Sequence, residues 1–504
     1  MTCPINLPDP RVPLAVLLSV ALPLAAIPAA AQELRPRTPG TAQGVPAVQI
    51  GPDNRPRQAI LPQDDDFAYL ADRDLRRDGF DRLRHVEVGD DAFLSFGANL
   101  RYKFRQYDDF NWGQPPGSTP FHGTRSNVSA GLTLGERFRL FAALKHGDLV
   151  NGDAPASPAE VDSVDLHMAF GEVAFGDAFG LAVNDVLVRV GRQELHYGAG
   201  RFISIRQGPN VRDDYDGVLL RARLPDDSVT DALAFFEVED AQGGFDNGTD
   251  ADQGFWGVYH SRPLGEAYGK PVNLDAFYIG YKFVDELYTT TPGPGREMRH
   301  TLGLRPWVGG PPDQPGLSGD VELNVQFGEL ETAAGDLDIF AYTLTGQVQY
   351  GLDAAWSPVL RTRFGLTSGD DDPDDGTLGT YRAPHPPGRY FGETTPLGPG
   401  NLMGFTTELE LSPGDRLTVV PAALFFWRLS DDDGIYNPPG LPIRGADGGD
   451  RFVGWELNVI GSYALTEQAT LVLEVGHFFA GGYLEDNPPD DDISFALAEI
   501  SFAF

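Results

Sequence analysis

The sequence predicts an all-β fold, a transmembrane antiparallel β-barrel of 18 strands, and three observations carry that reading. Segments with an apolar residue at every second position recur from residue 91 to the end of the chain. The links between them alternate between tight turns and long polar loops, the asymmetry of an outer-membrane barrel. An apolar leader opens the chain and an alternating strand ending on Phe504 closes it.

Taken in order, the leader "PLAVLLSVALPLAAIPAA" ends on Ala29-Ala30-Ala31 and fits a secretory signal over residues 1–31. Pro23 interrupts it, and it falls short of the about 20 apolar residues a spanning helix needs. The only cysteine, Cys3, lies within it, so a mature chain starting near Gln32 would hold neither disulfides nor a cysteine metal site. Residues 32–90 read as a Pro/Gly-rich periplasmic segment. Within it, residues 32–63 are a flexible tether and "DDDFAYLADRDLRRDGFDRL" is a short helix or turn suited to docking at a barrel mouth. So few and such polar residues argue against a separately folded plug domain.

Residues 91–504 make the barrel. In "FLSFGANLRYKFRQY" the residues Leu94, Phe96, Ala98, Leu100, Tyr102 and Phe104 are apolar, while Ser95, Gly97, Asn99, Arg101, Lys103 and Arg105 stand between them. A cation on the lipid face costs about 2–4 kcal/mol at the bilayer midplane, so the even face meets lipid and the odd face lines water. Similar segments begin near residues 91, 125, 136, 162, 185, 215, 229, 253, 272, 297, 319, 338, 357, 401, 415, 451, 467 and 492. Tight links (134–137, 176–180, 224–227, 412–415, 465–468) alternate with long ones (107–124, 197–214, 368–400, 430–450, 480–491). An even strand count puts both ends of the barrel in the periplasm.

The formal charge is −35, from 73 acidic residues against 38 Lys and Arg, which excludes a general nucleic-acid binder because phosphate contacts need a basic surface. The acidic loop tips "SGDDDPDDG" and "SDDDG" read as solvated and mutually repelling, with weak divalent bridging to lipopolysaccharide as the alternative. No G-x-S-x-G or H-E-x-x-H occurs and the nine His are scattered, so neither an enzyme, a metal centre nor a cofactor is expected. An enzymatic or purely structural barrel stays open as the reading from another class.

Parity places Arg101, Lys103, Arg105, Arg137, Arg139, Lys145, Arg189, Arg221, Arg223, Arg361, Arg363 and Arg428 inside. Asp165, His167, Glu237, Asp275, Glu322, Glu408, Glu410, Glu456, Glu474 and Glu499 follow them. The early strands supply mainly cations and the later ones mainly acids, which gives a basic wall able to concentrate anions. About half of these charges are expected only to pair with one another. Arg101, Lys103, Arg105, Arg137, Arg139, Arg221 and Arg223 trace the expected anion path.

Three stretches resemble the alginate-export family of outer-membrane β-barrels: "DDFAYLADRDLRRDGFDRLRHVEVGDDAFLSFGANLRYKFR", "VRVGRQELHYGAGRFISIRQGPNVRDDYDGVLLRARL" and "GHFFAGGYLEDNPPDDDISFALAEISFAF". The resemblance implies an 18-stranded barrel with an arginine-lined constriction passing a polyuronate or another anionic polymer or solute. The matching positions are Gly191, Arg192, Gln193, Glu194, Arg201, Arg206, Asn210, Arg212, Asp216 and Gly217. Alternation turns Gln193 inward and Arg192 outward, so an inward Arg192 requires a bulge. Asp213 and Asp214 beside Arg212 depart from the pattern, adding negative charge that weakens attraction for a polyanion. A general or small-organic-anion porin is the alternative. The expected partners are outer-membrane lipid, lipopolysaccharide, the solute and the barrel-assembly machinery, with a monomer as the expected state.

Overall fold

The computed structural model describes Ala59 and residues 61–504, apart from residues 116, 151–158, 177–182, 286–293, 310–314, 389 and 447–448. The leader and most of the tether fall outside the described residues.

Residues 61–84 form three 3-10 turns, Pro62–Asp64, Ala68–Ala71 and Arg73–Leu75, and one helix, Gly79–Arg84. Asp78 caps that helix by accepting from the amides of Phe80 and Asp81, and Asp81 ties back to Arg84 at 2.9 Å. Phe80 packs on Phe502 and Phe504, so the helix sits on the rim where the last strand ends.

The strands follow as β1 (Val86–Gly89), β2 (Ala92–Asp108), β3 (Thr119–Leu134), β4 (Phe138–Val150), β5 (Asp162–Ala174), β6 (Asp185–Gln193), β7 (Tyr215–Arg223) and β8 (Val229–Glu239). Next come β9 (Gly248–Ala267), β10 (Lys270–Asp285), β11 (Gly295–Val308), β12 (Gly316–Thr332), β13 (Gly335–Gly351), β14 (Val359–Thr367) and β15 (Thr377–Leu378). The last are β16 (Leu402–Glu410), β17 (Leu417–Arg428), β18 (Ile435–Tyr436), β19 (Pro442–Arg444), β20 (Phe452–Ala464), β21 (Ala469–Ala480) and β22 (Ile493–Ala503).

All but β18 and β19 share one sheet, and leaving out the short β1 and β15, each strand pairs antiparallel with the next. The last of them, β22, pairs with β2 from Asn99↔Ala503 to Asp108↔Ser494, which closes an 18-stranded barrel and removes its edges. Strand starts fall within a few residues of the periodic segments, with the largest offsets at β3 and β9, whose polar loop-end residues hide the alternation.

Alternation also sets the faces. On β2, Leu100 and Tyr102 are exposed outward while Arg101, Lys103 and Arg105 are buried inward. Tyr268 and Trp356 stand exposed in the β9–β10 and β13–β14 turns, where aromatic rings sit at a membrane–water boundary. One connection breaks the short–long pattern: Thr332 pairs with Gly335, so β12 and β13 join by a two-residue turn on the side of the long loops.

The lumen is not a simple water-filled tube. The loop L3 (residues 194–214, between β6 and β7) and the loop L7 (368–401, between β14 and β16) fold inward. Leu195, Tyr197, Phe202 and Ile203 of L3, with Tyr381 and Ala383 of L7, build a core against inward aromatics including Phe235, Phe255, Tyr259 and Phe277. On the same strands the inward polar groups are tied to one another beside these aromatics, Arg221 to Asp231 and Tyr259 and Ser261 to Asp275. The two loops join at Ile203↔His385, where the Ser204 amide donates to the His385 carbonyl at 2.9 Å and the His385 amide to the Phe202 carbonyl at 3.2 Å. A second core, including Tyr107, Trp112, Phe426, Phe478 and Ile493, closes the loop end.

Candidate functional site

The inner wall of β2 and β3 carries four cations. Arg101 lies directly opposite Arg125 in the pairing of the two strands, and facing like charges are destabilising unless something stands between them. Here L3 supplies that counter-pole. Arg101 donates to the carbonyls of Gln207 (2.9 Å), Gly208 (3.0 Å) and Pro209 (2.7 Å), and Arg125 to those of Gln207 (3.2 Å) and Pro209 (3.4 Å). Lys103 donates to the Gly208 carbonyl at 3.1 Å and pairs with Glu393 of L7 at 3.0 Å. Arg105 pairs with Glu160 at 2.6 Å and Glu393 at 3.6 Å. Loop carbonyls and carboxylates thus occupy this basic wall. A strand taken to begin near residue 125 leaves Arg125 at its end, whereas β3 begins at Thr119 and carries Arg125 well inside.

L3 crosses to the opposite side of the ring. Arg201 reaches Asp320 and, at 3.5 Å, Glu322 on β12, while Arg206, at positive φ, reaches Asp213 at 2.8 Å. Burial pushes the Asp213 carboxyl up to about 6, against the pull of Arg206. Burial, with Arg206 and Arg382 nearby, holds the His385 ring down at about 3. The base of L3 is tied by His167, Arg212 and Lys145. His167 holds Asp214 with Nδ1 and Glu194 with Nε2, each at 2.9 Å, and so links the loop's two ends. Although burial opposes ionisation of Glu194, Arg212 at 3.0 Å and His167 hold it down at about 2. Lys145 adds Asp214 at 2.9 Å and Asp240 at 2.5 Å.

His167 reaches this position through a β-bulge. In the β4–β5 pairing Ala143 faces Met168 and Leu144 faces Leu166, which leaves His167 as the extra residue, and both His167 and Met168 are buried. The bulge that an inward Arg192 requires is absent, since β6 and β7 pair without interruption through Arg192↔Asp216 and Gln193↔Tyr215. Arg192 therefore points to the side opposite Gln193 and forms a two-pronged pair with Asp216, both contacts at 2.9 Å, outside the lumen wall.

The remaining expected positions divide. Arg137 is exposed in the β3–β4 turn rather than in the wall, because β4 begins one residue later. Arg139 lies inside, over the Phe141 ring, and donates to the Gln63 carbonyl. Arg189 pairs with Glu172 and Asp64, each at 2.7 Å. Arg212 bonds Gln207 and Glu194, and buried Gln193 donates to the Gly191 carbonyl at 3.4 Å. Arg221 grips Asp231 with two bonds, at 2.7 and 2.6 Å, and Arg223 is half-exposed near the turn rim. Arg361 joins Gln349, Glu408 and Glu410, while Arg363 meets Glu408 at 3.1 Å and keeps 45% of its side chain open. Asp433 departs from the solvated reading of the acidic tips: it is buried and accepts from the Asp370 amide at 3.0 Å and the Thr380 hydroxyl at 2.6 Å. The tether reading also changes, since residues 61–65 lie inside the barrel, not at its mouth.

Residues 92–493 match the family described as Alginate export, which is most of the chain and spans the whole cationic wall. The chain belongs to the alginate export family. Solved structures similar to this alginate export family member include Pseudomonas aeruginosa OccK11 (OpdR), at 12% identity and TM-score 0.52, covering 82% of this chain and 96% of that one. Acinetobacter baumannii OccAB2 is similar at 10% identity and TM-score 0.53, over 82% and 98% of the two chains. P. aeruginosa OccK2 (OpdF), solved in complex with glucuronate, is similar at 10% identity and TM-score 0.51, over 82% and 98%. No curated protein sequence matches the chain. Family and barrel together make this an outer-membrane channel, with its tight turns in the periplasm.

Proposed function

We propose that this channel passes anionic solutes bearing carboxylates, uronate chains or their units, along the cationic wall of β2 and β3. The observation that carries the reading is that Arg101, Lys103, Arg105 and Arg125 are already engaged by oxygen acceptors of inward loops, which a solute carboxylate can replace. Guanidinium groups bind planar carboxylates by paired hydrogen bonds, and a low-dielectric channel strengthens the selection of charge. Transport, not catalysis, is the role proposed for the charged lumen. Because L3 and L7 both cross the lumen, small organic acids are the second reading, with longer chains needing those loops displaced.

The test is the reversal potential in planar bilayers under a salt gradient, with glucuronate and oligouronates as blockers. Replacing Arg101, Lys103 and Arg105 together by Gln is expected to move the reversal potential toward cations and to weaken block. Unchanged selectivity in a folded, conducting variant removes this wall as the filter.

A further inference from the structure

The Pro62–Asp64 turn stands inside the lumen, among side chains from the periplasmic half of the wall. Leu61 is buried against Ile205 of L3, and the Gln63 amide donates to the Glu194 carbonyl at 2.8 Å. Arg139, two residues beyond the β3–β4 turn, donates to the Gln63 carbonyl. The Asp64 carboxylate accepts from Arg189 at 2.7 Å, on a guanidinium it shares with Glu172, and both Asp64 and Arg189 are buried. This segment enters from the rim, where β1 pairs with β2 and the Gly79–Arg84 helix is fixed.

The tip is held differently from the wall. Its amides are satisfied within its own turn, Asp64 to the Leu61 carbonyl at 2.9 Å and Asp65 to that of Pro62 at 3.3 Å, and among the described residues it joins no strand. What fixes it to the lumen is a few side-chain contacts: the Gln63 amide on the Glu194 carbonyl, Arg139 on the Gln63 carbonyl, the Asp64–Arg189 pair and the packing of Leu61. Such contacts exchange, whereas a closed ladder does not. A guanidinium that donates to a carboxylate of its own chain can donate in the same way to a carboxylate from solution.

We propose that residues 61–65 plug the lumen from its periplasmic side, and that Asp64 occupies on Arg189 a seat for a solute carboxylate, so that plug docking and solute binding exclude each other. The plug rests on the channel reading above and adds to it an inner carboxylate site distinct from the β2–β3 wall.

The test uses the full chain carrying Cys3→Ser, Leu61→Cys and Ile205→Cys in planar bilayers, oxidised and then reduced, so that each protein preparation is its own folding control. Oxidation is expected to lower the current several-fold and reduction to restore it. Equal currents in both states, with the bond verified by mass, overturn the plug while leaving the channel standing. Absence of current in either state and in the parent chain overturns the channel reading and the plug with it. Glucuronate added on the periplasmic side is expected to slow formation of the bond several-fold; an unchanged rate overturns the shared seat. Asp64→Asn is expected to raise the current without any cysteine, and an unaltered current in that variant counts against the plug.

Discussion

His167 shows how much one side chain can decide in a barrel. Its ring nitrogens lie 2.9 Å from Asp214 and 2.9 Å from Glu194, residues at opposite ends of L3, and the ring is fully buried. Removing it leaves two carboxylates without that partner in a dry site, where breaking a buried charged contact costs about 3–5 kcal/mol. The cost falls on the loop, because the barrel ladder on either side of the bulge is unaffected. His167→Ala is therefore expected to open L3 within an intact barrel. Trypsin added to folded protein would then cut after Arg201, Arg206 or Arg212, and continued resistance would sink the idea that this residue fastens the loop. Arg192 and Gln193 show the other side of residue-scale reasoning: alternation placed them on opposite faces, and the uninterrupted β6–β7 register keeps them there.

At the scale of the element, the inward N-terminal turn brings a carboxyl into an unfavourable setting. Asp65 is pushed up from 3.8 to about 7, chiefly by burial and further by Asp64, against the Ala59 amide at 2.7 Å and the charges of Arg139 and Arg84. A carboxyl whose value is raised on docking takes up a proton as it docks. Docking is then strongest below the ordinary carboxylate range, weakens as pH rises toward the docked value, and changes no further above it. The current is expected to increase as pH rises from about 4 to about 7 and to level off above that. Asp65→Asn should flatten this dependence, and a slope identical to that of the parent chain would assign the titration elsewhere.

For the whole molecule, the bilayer rather than the protein separates the two faces of the wall. Leu360 on β14 is 53% exposed on the bare chain, and the Arg363 side chain is 45% exposed on the other face of the same strand. In membranes, Arg363→Cys is expected to react with an impermeant thiol reagent and Leu360→Cys to resist it, while in detergent-free unfolded chain both react. Equal labelling of the two in membranes is incompatible with the closed cylinder. The same cylinder shapes how loops from one end fill it: L7 pairs only briefly, where Thr377 and Leu378 run parallel to Asp338 and Ile339 on the overhanging end of β13, and otherwise L3 and L7 bond to each other at Ile203 and His385 and to inward side chains.

Strand number, the two faces of each strand and the tight-turn end of the barrel are legible along the chain, because lipid and water act on neighbouring residues of one strand and write a period of two into it. That period also places Arg101, Lys103 and Arg105 in the wall. The loop partners of those cations follow from the packed fold. Carbonyls at 207–209 and the carboxylates of Glu160 and Glu393 come from irregular segments whose path follows from packing on distant strands, and irregular chain carries no period to read. The bulge at His167, the exposed Arg137 and the turn at residues 62–64 have the same origin: each depends on the strand or loop lying opposite, which local alternation does not specify.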